Sequence, residues 1–476
     1  MRIALISLQK DAERVPPVGL VYLATYLNHK ACIKKEDIRI LEPNYCDIEK
    51  ELDEFKPDMI GFSAMTVDYK QVCDFAKKIK PKYNIPFIIG GVHISTLPES
   101  LDKIFDVGII GEGELTLTEL IKAWTEKIEY YCLIKLRKIK GIVFFNGDTL
   151  EYTAPREPIS NLDDLPIPNF KFISPKYFRR EEIPSISDVG VKGYLISSRG
   201  CPYKCVFCST CRFWGSMRFN SPEYTAKMTR NLIDELGADY IKVMDDLFTV
   251  NPDRLREIKT CFDEYGVLDK IKAIECQPRA NLMTDELCEA MQALKIKTLN
   301  FGFESGSNKM LKYLKQTAAD IDMNMNAVLL CEKYGFNCYG SLIYGSPGET
   351  IRDMELTNDF IDFAIRHKAK YMWSFVATPF PMTPFWDIAL QRGKVSNNMD
   401  WDLLSHHNLD NPLLLDDSIN KEAFKETFLK GRNKLKGLKI RLIMDFIVKN
   451  PWNVIKMVVK EPGYYISRAF KQVFKQ

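Results

Sequence analysis

The most constraining stretch of this chain is Ser198-Arg-Gly-Cys-Pro-Tyr-Lys-Cys-Val-Phe-Cys208. It places Cys201, Cys205 and Cys208 in a C-x3-C-x2-C run. Three thiolates on one short loop can all point at one inorganic centre. A structural zinc site wants four protein ligands, and cubane iron–sulfur clusters are usually held by four thiolates. Three cysteines at this spacing therefore point to a 4Fe–4S cluster with one iron left open to a substrate or cosubstrate. Cys211 is the rival fourth ligand, because it continues a C-x2-C-x2-C run from Cys205 and Cys208. The bland alternative is a set of unrelated buried thiols, since free Cys packs like a small hydrophobe. Three cysteines in eight residues are not core spacing.

Bulk properties narrow the class. With 476 residues, 46% of them hydrophobic, the chain is too long for one ordinary core and suggests two or three domains. A net charge of +3 excludes a nucleic-acid-binding polycation, and no nucleic acid is expected as partner. Thirteen cysteines, an odd number and mostly scattered, fit a reducing cytosol and a metal better than a disulfide framework. The first residues read as a short strand without the apolar core of a signal peptide. No run of eighteen uncharged apolar residues occurs, so no spanning helix is expected.

Residues 1 to about 130 alternate short apolar runs (3–7, 38–41, 59–63, 87–90, 107–111) with helical stretches such as 20–27 and 69–80. That alternation predicts a parallel sheet covered on both faces, with ligands beyond the strands' carboxyl ends. Three such ends stand out: Gly61-Phe-Ser63-Ala64-Met65-Thr66, Gly90-Gly91-Val-His93, and Gly111-Glu112-Gly113-Glu114. Paired glycines let backbone approach a flat, bulky ligand. Two glutamates at a helix start argue against phosphate there. Residues 140–145 read as a β-ribbon and 162–169 as an acidic, proline-rich linker. From residue 193 the rhythm resumes with six strands at 194–198, 240–244, 271–276, 298–303, 337–343 and 371–377. Their ends carry the cysteine loop, Asp245-Asp246, Gln277-Pro-Arg279, Glu304-Ser305-Gly306 and Gly345-Ser-Pro-Gly348-Glu349. Polar groups at strand ends match where barrel enzymes keep their chemistry.

The cysteine run resembles that of the radical S-adenosylmethionine (SAM) enzymes. In that family three cysteines hold the cluster and the open iron chelates the amino and carboxylate groups of SAM. The three strand-end loops before it, with the Pro16-Pro-Val-Gly-Leu20 opening, resemble the cobalamin-binding domain of cobalamin-dependent radical SAM enzymes. The Asp-x-His-x-x-Gly signature that supplies an axial histidine in wider cobalamin proteins is absent. The resemblance implies that Ser63 to Thr66 face the lower side of the cobalt. It places His93 at the corrin edge or tail, and Gly90, Gly91, Gly111, Glu112 and Gly113 against the same ligand. A packed histidine is the plainer reading of His93. On the SAM side it implies Phe207 near the adenine, and Glu304, with Ser305 and Gly306, on the amine or ribose. Arg279 would pair with the carboxylate, and Gly345 to Gly348 would close on the adenine. Asp245 and Asp246 would face SAM or substrate. Surface salt bridges and plain turns are the competing explanations. The phrase Ala377-Thr-Pro-Phe-Pro-Met-Thr-Pro384 is similar to a family phrase that usually has glycine where Met382 stands.

The implied fold is α/β. An N-terminal doubly wound, Rossmann-like cobalamin-binding domain (1–135) is followed by a linker (136–185). A partial (βα)6 radical SAM barrel (186–400) and a mainly helical, basic C-terminal region (401–476) complete it. The implied reaction is reductive cleavage of SAM to a 5′-deoxyadenosyl radical, followed by C-methylation of an unactivated carbon. A radical SAM cyclase or carbon–carbon coupling enzyme, with a first domain that has lost cobalamin, is the alternative. An iron–sulfur redox sensor or electron carrier is the alternative of another class, and Glu304-Ser-Gly argues against it. Implied partners are a small-molecule, lipid or peptide substrate and an external electron donor such as ferredoxin or flavodoxin. Residues 421–476 hold fourteen Lys or Arg against four Asp or Glu, a net +10. Apolar residues are interleaved from Leu438 to Val459. Peripheral membrane contact through 430–476 is one expectation; a helical cap packed on the barrel is the other.

Overall fold

Two parallel sheets carry the chain, and the computed structural model describes residues 1–9, 15–125, 133–178, 191–316, 319–449 and 451–452. In the first sheet, β1 (Ile3–Ser7) is buried at all five positions, as a strand covered on both faces should be. Strands β2 (Ile38–Leu41), β3 (Met59–Ser63), β4 (Phe87–Gly90) and β5 (Val107–Ile109) join it in the order β2-β1-β3-β4-β5, all parallel. The expected ribbon is a hairpin, β6 (Ile142–Asn146) and β7 (Thr149–Tyr152). It adds to this sheet antiparallel to β5 rather than standing apart as a linker.

A short antiparallel ribbon, β9 (Ser198–Arg199) with β10 (Arg218–Phe219), follows β8 (Lys192–Leu195). The second sheet then takes β8, β11 (Tyr240–Val243), β12 (Ala273–Cys276), β13 (Ile296–Glu304), β14 (Asn337–Tyr344) and β15 (Tyr371–Val376) in sequence order. All pairs are parallel and β8 does not meet β15, which is a partial barrel. Its helices start where the sequence supplies caps. Ser221, Asn251, Thr284, Ser307, Asp320 and Thr350 each accept a hydrogen bond from the backbone N–H three residues on. Such caps contribute about 1 kcal/mol apiece.

The C-terminal helix Lys421–Lys449 buries Phe424, Phe428, Leu435 and Leu438. The Phe428 ring lies 5.2 Å from that of Tyr344, and Asn358 of the helix Ile351–Arg366 donates to the Thr427 carbonyl at 3.0 Å. The first part of the basic region is therefore a cap on the barrel. Farther along, Ile440, Met444, Ile447, Val448 and Trp452 are exposed. The expected cluster at 454–459 lies outside the described residues. Among the described residues no helix is long and apolar enough to cross a membrane.

Just before that helix the chain returns to the first sheet. Trp401 packs its ring 4.6 Å from His93 and 6.0 Å from Tyr69, while Lys70 pairs with Asp400 and Asp402. His93 is fully buried; Thr66 lies at 3.3 Å from its Nδ1 and Ser100 at 2.9 Å from its Nε2. Burial pushes the imidazole down to about 3. Below pH 6.5 the unfolded chain therefore binds a proton that the folded chain refuses. Stability from this residue is present above about pH 6.5 and is lost as pH falls toward 3. In urea unfolding at about pH 7, 6 and 5, the advantage of wild type over His93→Gln should shrink by about 1.4 kcal/mol per unit below pH 6.5. A constant gap would show that His93 is not held neutral.

Candidate functional site

The cysteine loop is braced at both ends by the acids that close β11. Asp245 accepts from the Ser197 N–H at 2.6 Å, from the Ser197 hydroxyl at 2.6 Å and from the Ser198 hydroxyl at 2.8 Å. It is only 2% exposed, and burial pushes it up to about 6 against those donors. The expectation that Asp245 faces SAM or substrate is thus corrected: both of its oxygens hold the strand that delivers the loop. Asp246 accepts from Thr210 at 3.2 Å, on the loop's far side.

Within the loop Cys205 is buried and Cys201 and Cys208 are half-buried, all three as free thiols. Burial pushes the Cys201 thiol up to about 11, with Asp246, Cys205 and Cys208 adding to the rise. Three free thiols on one short loop fit the thiolate set of a cluster, which spreads its ligands over several irons. Arg279 donates to the Cys205 sulfur at 3.3 Å, stacks 3.6 Å from the Tyr203 ring and donates to Asn281 at 2.8 Å. That puts a permanent cation where an anionic centre would sit. Cys211 instead meets Arg212, whose guanidinium also reaches the Cys208 carbonyl at 3.1 Å. Phe207 is half-buried, 6.5 Å from the Phe385 ring.

At the end of β13 a bulge turns Glu304 into the left-handed region, φ +64°. Its carboxylate is buried with Lys315 at 3.2 Å, and Lys315 also donates to the Gly302 carbonyl at 2.6 Å. Ser305 and Gly306 both contact the Thr357 hydroxyl, at 3.1 and 3.0 Å. A Cβ on Gly306 would sit 2.2 Å from the Leu356 carbonyl oxygen. These two residues, expected on SAM, also seat the helix Ile351–Arg366. Gly345 likewise gives its N–H to Glu349 at 2.6 Å and lies against Phe424; the Gly348 N–H goes to Asp416 at 2.7 Å. Gly345 is thus packed under the C-terminal helix, whereas Gly348 is exposed with open space on its Cβ side. Burial pushes Glu349 up to about 8. Met382 holds φ +64°, the conformation that glycine supplies in the related phrase.

On the first sheet two loops are zipped together. The Ala64 N–H donates to the Gly90 carbonyl and the His93 N–H to the Ala64 carbonyl, both at 3.1 Å. Gly91, at φ +96°, leaves no room for a Cβ, which would lie 2.8 Å from the Ala64 oxygen. Exposed apolar side chains follow three adjacent strands: Met65 after β3, Val92 after β4 and Leu115 in the first turn of the helix Gly113–Thr125 after β5. Beside them Gly111, φ +80°, has open space on its Cβ side. An apolar shelf with a bare glycine fits the flat face of a corrin. His93 does not belong to it; burial and two hydrogen-bond partners remove it from any corrin edge, as a packed histidine. Thr66 is buried with it. Gly113 faces Leu23, a helix contact.

Glu112 is corrected as well. Its oxygens lie 2.6 Å from Arg199 and 3.1 Å from Arg218, and it accepts from the Ile159 N–H. Glu114 takes the other branch of the Arg199 fork at 2.6 Å. Burial alone would depress the Arg199 guanidinium; the carboxylates of Glu114 and Glu112 outweigh it and hold the charge firmly. Rings of Tyr22 and Trp214 flank it at 5.7 and 5.4 Å. Sequence reading missed Arg199, although two acids unsuited to phosphate called for a cation and an Arg precedes the Gly-Cys step.

Two family models match the chain: the B12 binding domain over residues 5–121 and the radical SAM superfamily over residues 195–361. An uncharacterized methyltransferase of Pyrococcus horikoshii is 28% identical over 467 residues, covering 97% of this chain and 94% of that protein. The anaerobic magnesium-protoporphyrin IX monomethyl ester cyclase of Cereibacter sphaeroides is 24% identical over 387 residues, covering 78% of this chain and 59% of the cyclase. The fold matches that of the radical SAM methyltransferase TsrM from Kitasatospora setae with cobalamin and a [4Fe–4S] cluster bound, with a TM-score of 0.65 and 18% identity over 82% of this chain and 75% of that one. The chain belongs to the cobalamin-dependent radical SAM enzymes, and its cofactors are a 4Fe–4S cluster, SAM and cobalamin.

Proposed function

We propose that this enzyme methylates an unactivated carbon. The observation that carries the reading is adjacency. The loop bearing Cys201, Cys205 and Cys208 is tied through Arg199 to the turn beside the apolar shelf of Met65, Val92 and Leu115. When bound, the cluster and SAM supply one-electron cleavage of a carbon–sulfur bond, and the corrin supplies methyl carriage. The chain's own part is to bind, orient and exclude water. Cys201, Cys205 and Cys208 serve as the thiolate ligands. Arg279, held against Cys205, offers its guanidinium to a carboxylate. Glu304 and Lys315 act as a buried pair that fixes the bulge at the barrel mouth. The loops at 63–66, 90–91 and 111 form the floor under the corrin, and His93 supplies no ligand to the metal. Electrons come from an external donor of the ferredoxin or flavodoxin kind. A relative named a methyltransferase supports the methyl reading over the cyclase, which resembles the chain over a smaller share.

Anaerobic reconstitution tests this directly. Wild type should take up about four irons, one 4Fe–4S cluster per chain, and one cobalt. With SAM and a strong reductant it should release 5′-deoxyadenosine. Alanine at Cys201, Cys205 or Cys208 should remove the iron; Cys211→Ala should keep it. Equal iron loss in Cys211→Ala and Cys205→Ala would overturn the ligand assignment. Absence of cobalt would overturn methyl transfer.

We also propose that the substrate is presented at an anionic membrane surface. Ile440, Met444, Ile447 and Val448 are exposed at i, i+4, i+7 and i+8, one face of a helix, and Trp452 follows. The region from 421 carries a net +10. Each basic side chain near such a surface contributes about 1 kcal/mol, screened as the Debye length falls from about 10 Å at 0.1 M to about 3 Å at 1 M salt. The full chain should float with anionic vesicles at low salt, less at high salt, and not with neutral ones. Met444→Asp with Val448→Asp should abolish flotation without unfolding, since both positions are exposed. An unbound wild type at low salt removes the membrane from the account.

A further inference from the structure

The Gly-Glu-Gly-Glu turn does work that neither family model assigns. Glu112, Glu114, Arg199 and Arg218 form a neutral set of two acids and two bases. Their side chains are 8%, 5%, 9% and 10% exposed. Arg199 uses one branch of its fork for each glutamate, so only one orientation satisfies both; a lysine, as a single point charge, could not do the same. Arg199 and Arg218 are directly paired across the β9–β10 ribbon. The turn therefore grips both strands of the stem from which the cysteine loop hangs. Arg218 also donates to the Ile159 and Trp214 carbonyls, and Trp214 ends the short helix that follows Cys208.

Both stems of the loop thus converge on one turn. Cys201 is two residues from Arg199, at most about 7 Å of chain. Gly111, the open glycine at the end of the shelf, is the immediate neighbour of Glu112. The connection between the two cofactor sites is therefore a handful of bonds. Chemistry shared between two bound groups is sensitive to misplacement of about 1 Å.

We infer that Arg199, held by Glu112 and Glu114 and backed by Arg218, is a positioning residue that sets the separation of the cluster loop from the corrin site. It governs where the two cofactors stand, not whether they load. This rests on the two-cofactor reading above. The test compares wild type with Glu112→Gln, Glu114→Gln, the double variant and Arg199→Lys, all as full-length chains reconstituted with iron, sulfide and hydroxocobalamin. Pulsed electron paramagnetic resonance between cobalt(II) and the reduced cluster reads their separation. The double variant should keep its iron and cobalt yet show a distance distribution at least twofold broader; Arg199→Lys should lie between. Should the double variant not fold, Glu114→Gln alone, which leaves Glu112 on Arg199, carries the comparison. Hydrogen exchange without cofactors is the second readout: amides of 198–209 and 113–118 should exchange at least tenfold faster, with 273–276 unchanged. Unchanged distances and exchange in folded, loaded variants would overturn the inference, and so would loss of iron or cobalt without a change in exchange. A wild type that takes up no cobalt would sink the functional reading instead, and exchange alone would then decide the clamp.

Discussion

The placement of the cysteine loop against the first sheet depends on a buried ionic contact, Arg199 between Glu112 and Glu114, set among apolar packing that both sheets share. Taking charges out of water is expensive, and apolar side chains of the same volume often serve stability equally well. Removing one partner is a different matter, because it strands a buried charge at about 3–5 kcal/mol. The arrangement is therefore poor at adding stability and good at permitting one geometry. A greasy contact between the same elements could slide, whereas a two-branched fork cannot. That suits a protein whose two sheets must present their carboxyl ends to one another in fixed register.

A second consequence concerns the acids at strand ends. Asp245, Glu304, Glu349 and Glu112 all stand where barrel and doubly wound folds keep their ligand groups, and each takes a protein partner, although Oε1 of Glu349 has none. Each fixes a loop or a bulge. The three thiols of the loop and the exposed Met65, Val92 and Leu115 carry no such charge. Division of labour explains this. The reactive chemistry belongs to the cofactors, so the chain invests its charges in rigidity.

The fold was legible because local signals agreed. Apolar runs of four to seven residues with glycine at several of their ends point to one alternation, and the Ser, Thr, Asp and Asn caps of the barrel helices agree with it. The cysteine loop was legible for a similar reason, since spacing within one loop is a local property. Contacts between distant segments were not. Lys315 meets Glu304 and Thr357 meets Gly306 through tertiary packing, which no periodicity encodes. His93 shows the limit well. Its Gly-Gly-x-His setting advertises a ligand, yet Trp401, 308 positions later, covers it. The helix contact of Gly306 was equally hidden, because a glycine needed for helix contact reads like one needed for a nucleoside.

That return of Trp401 has a consequence for biogenesis. Chains emerge from the ribosome at about 5–20 residues per second, amino-terminal domains folding first. The 308 positions between His93 and Trp401 correspond to roughly 15–60 s of synthesis. For the last 249 of those positions, after β7 ends at Tyr152, the first sheet is complete but lacks its indole cover, so the imidazole and the Tyr69 ring lack one packing partner. The newborn domain is a different object from the finished one: wetter at His93, able to protonate there, and a candidate client for a chaperone until the last fifth of the chain arrives to seal it.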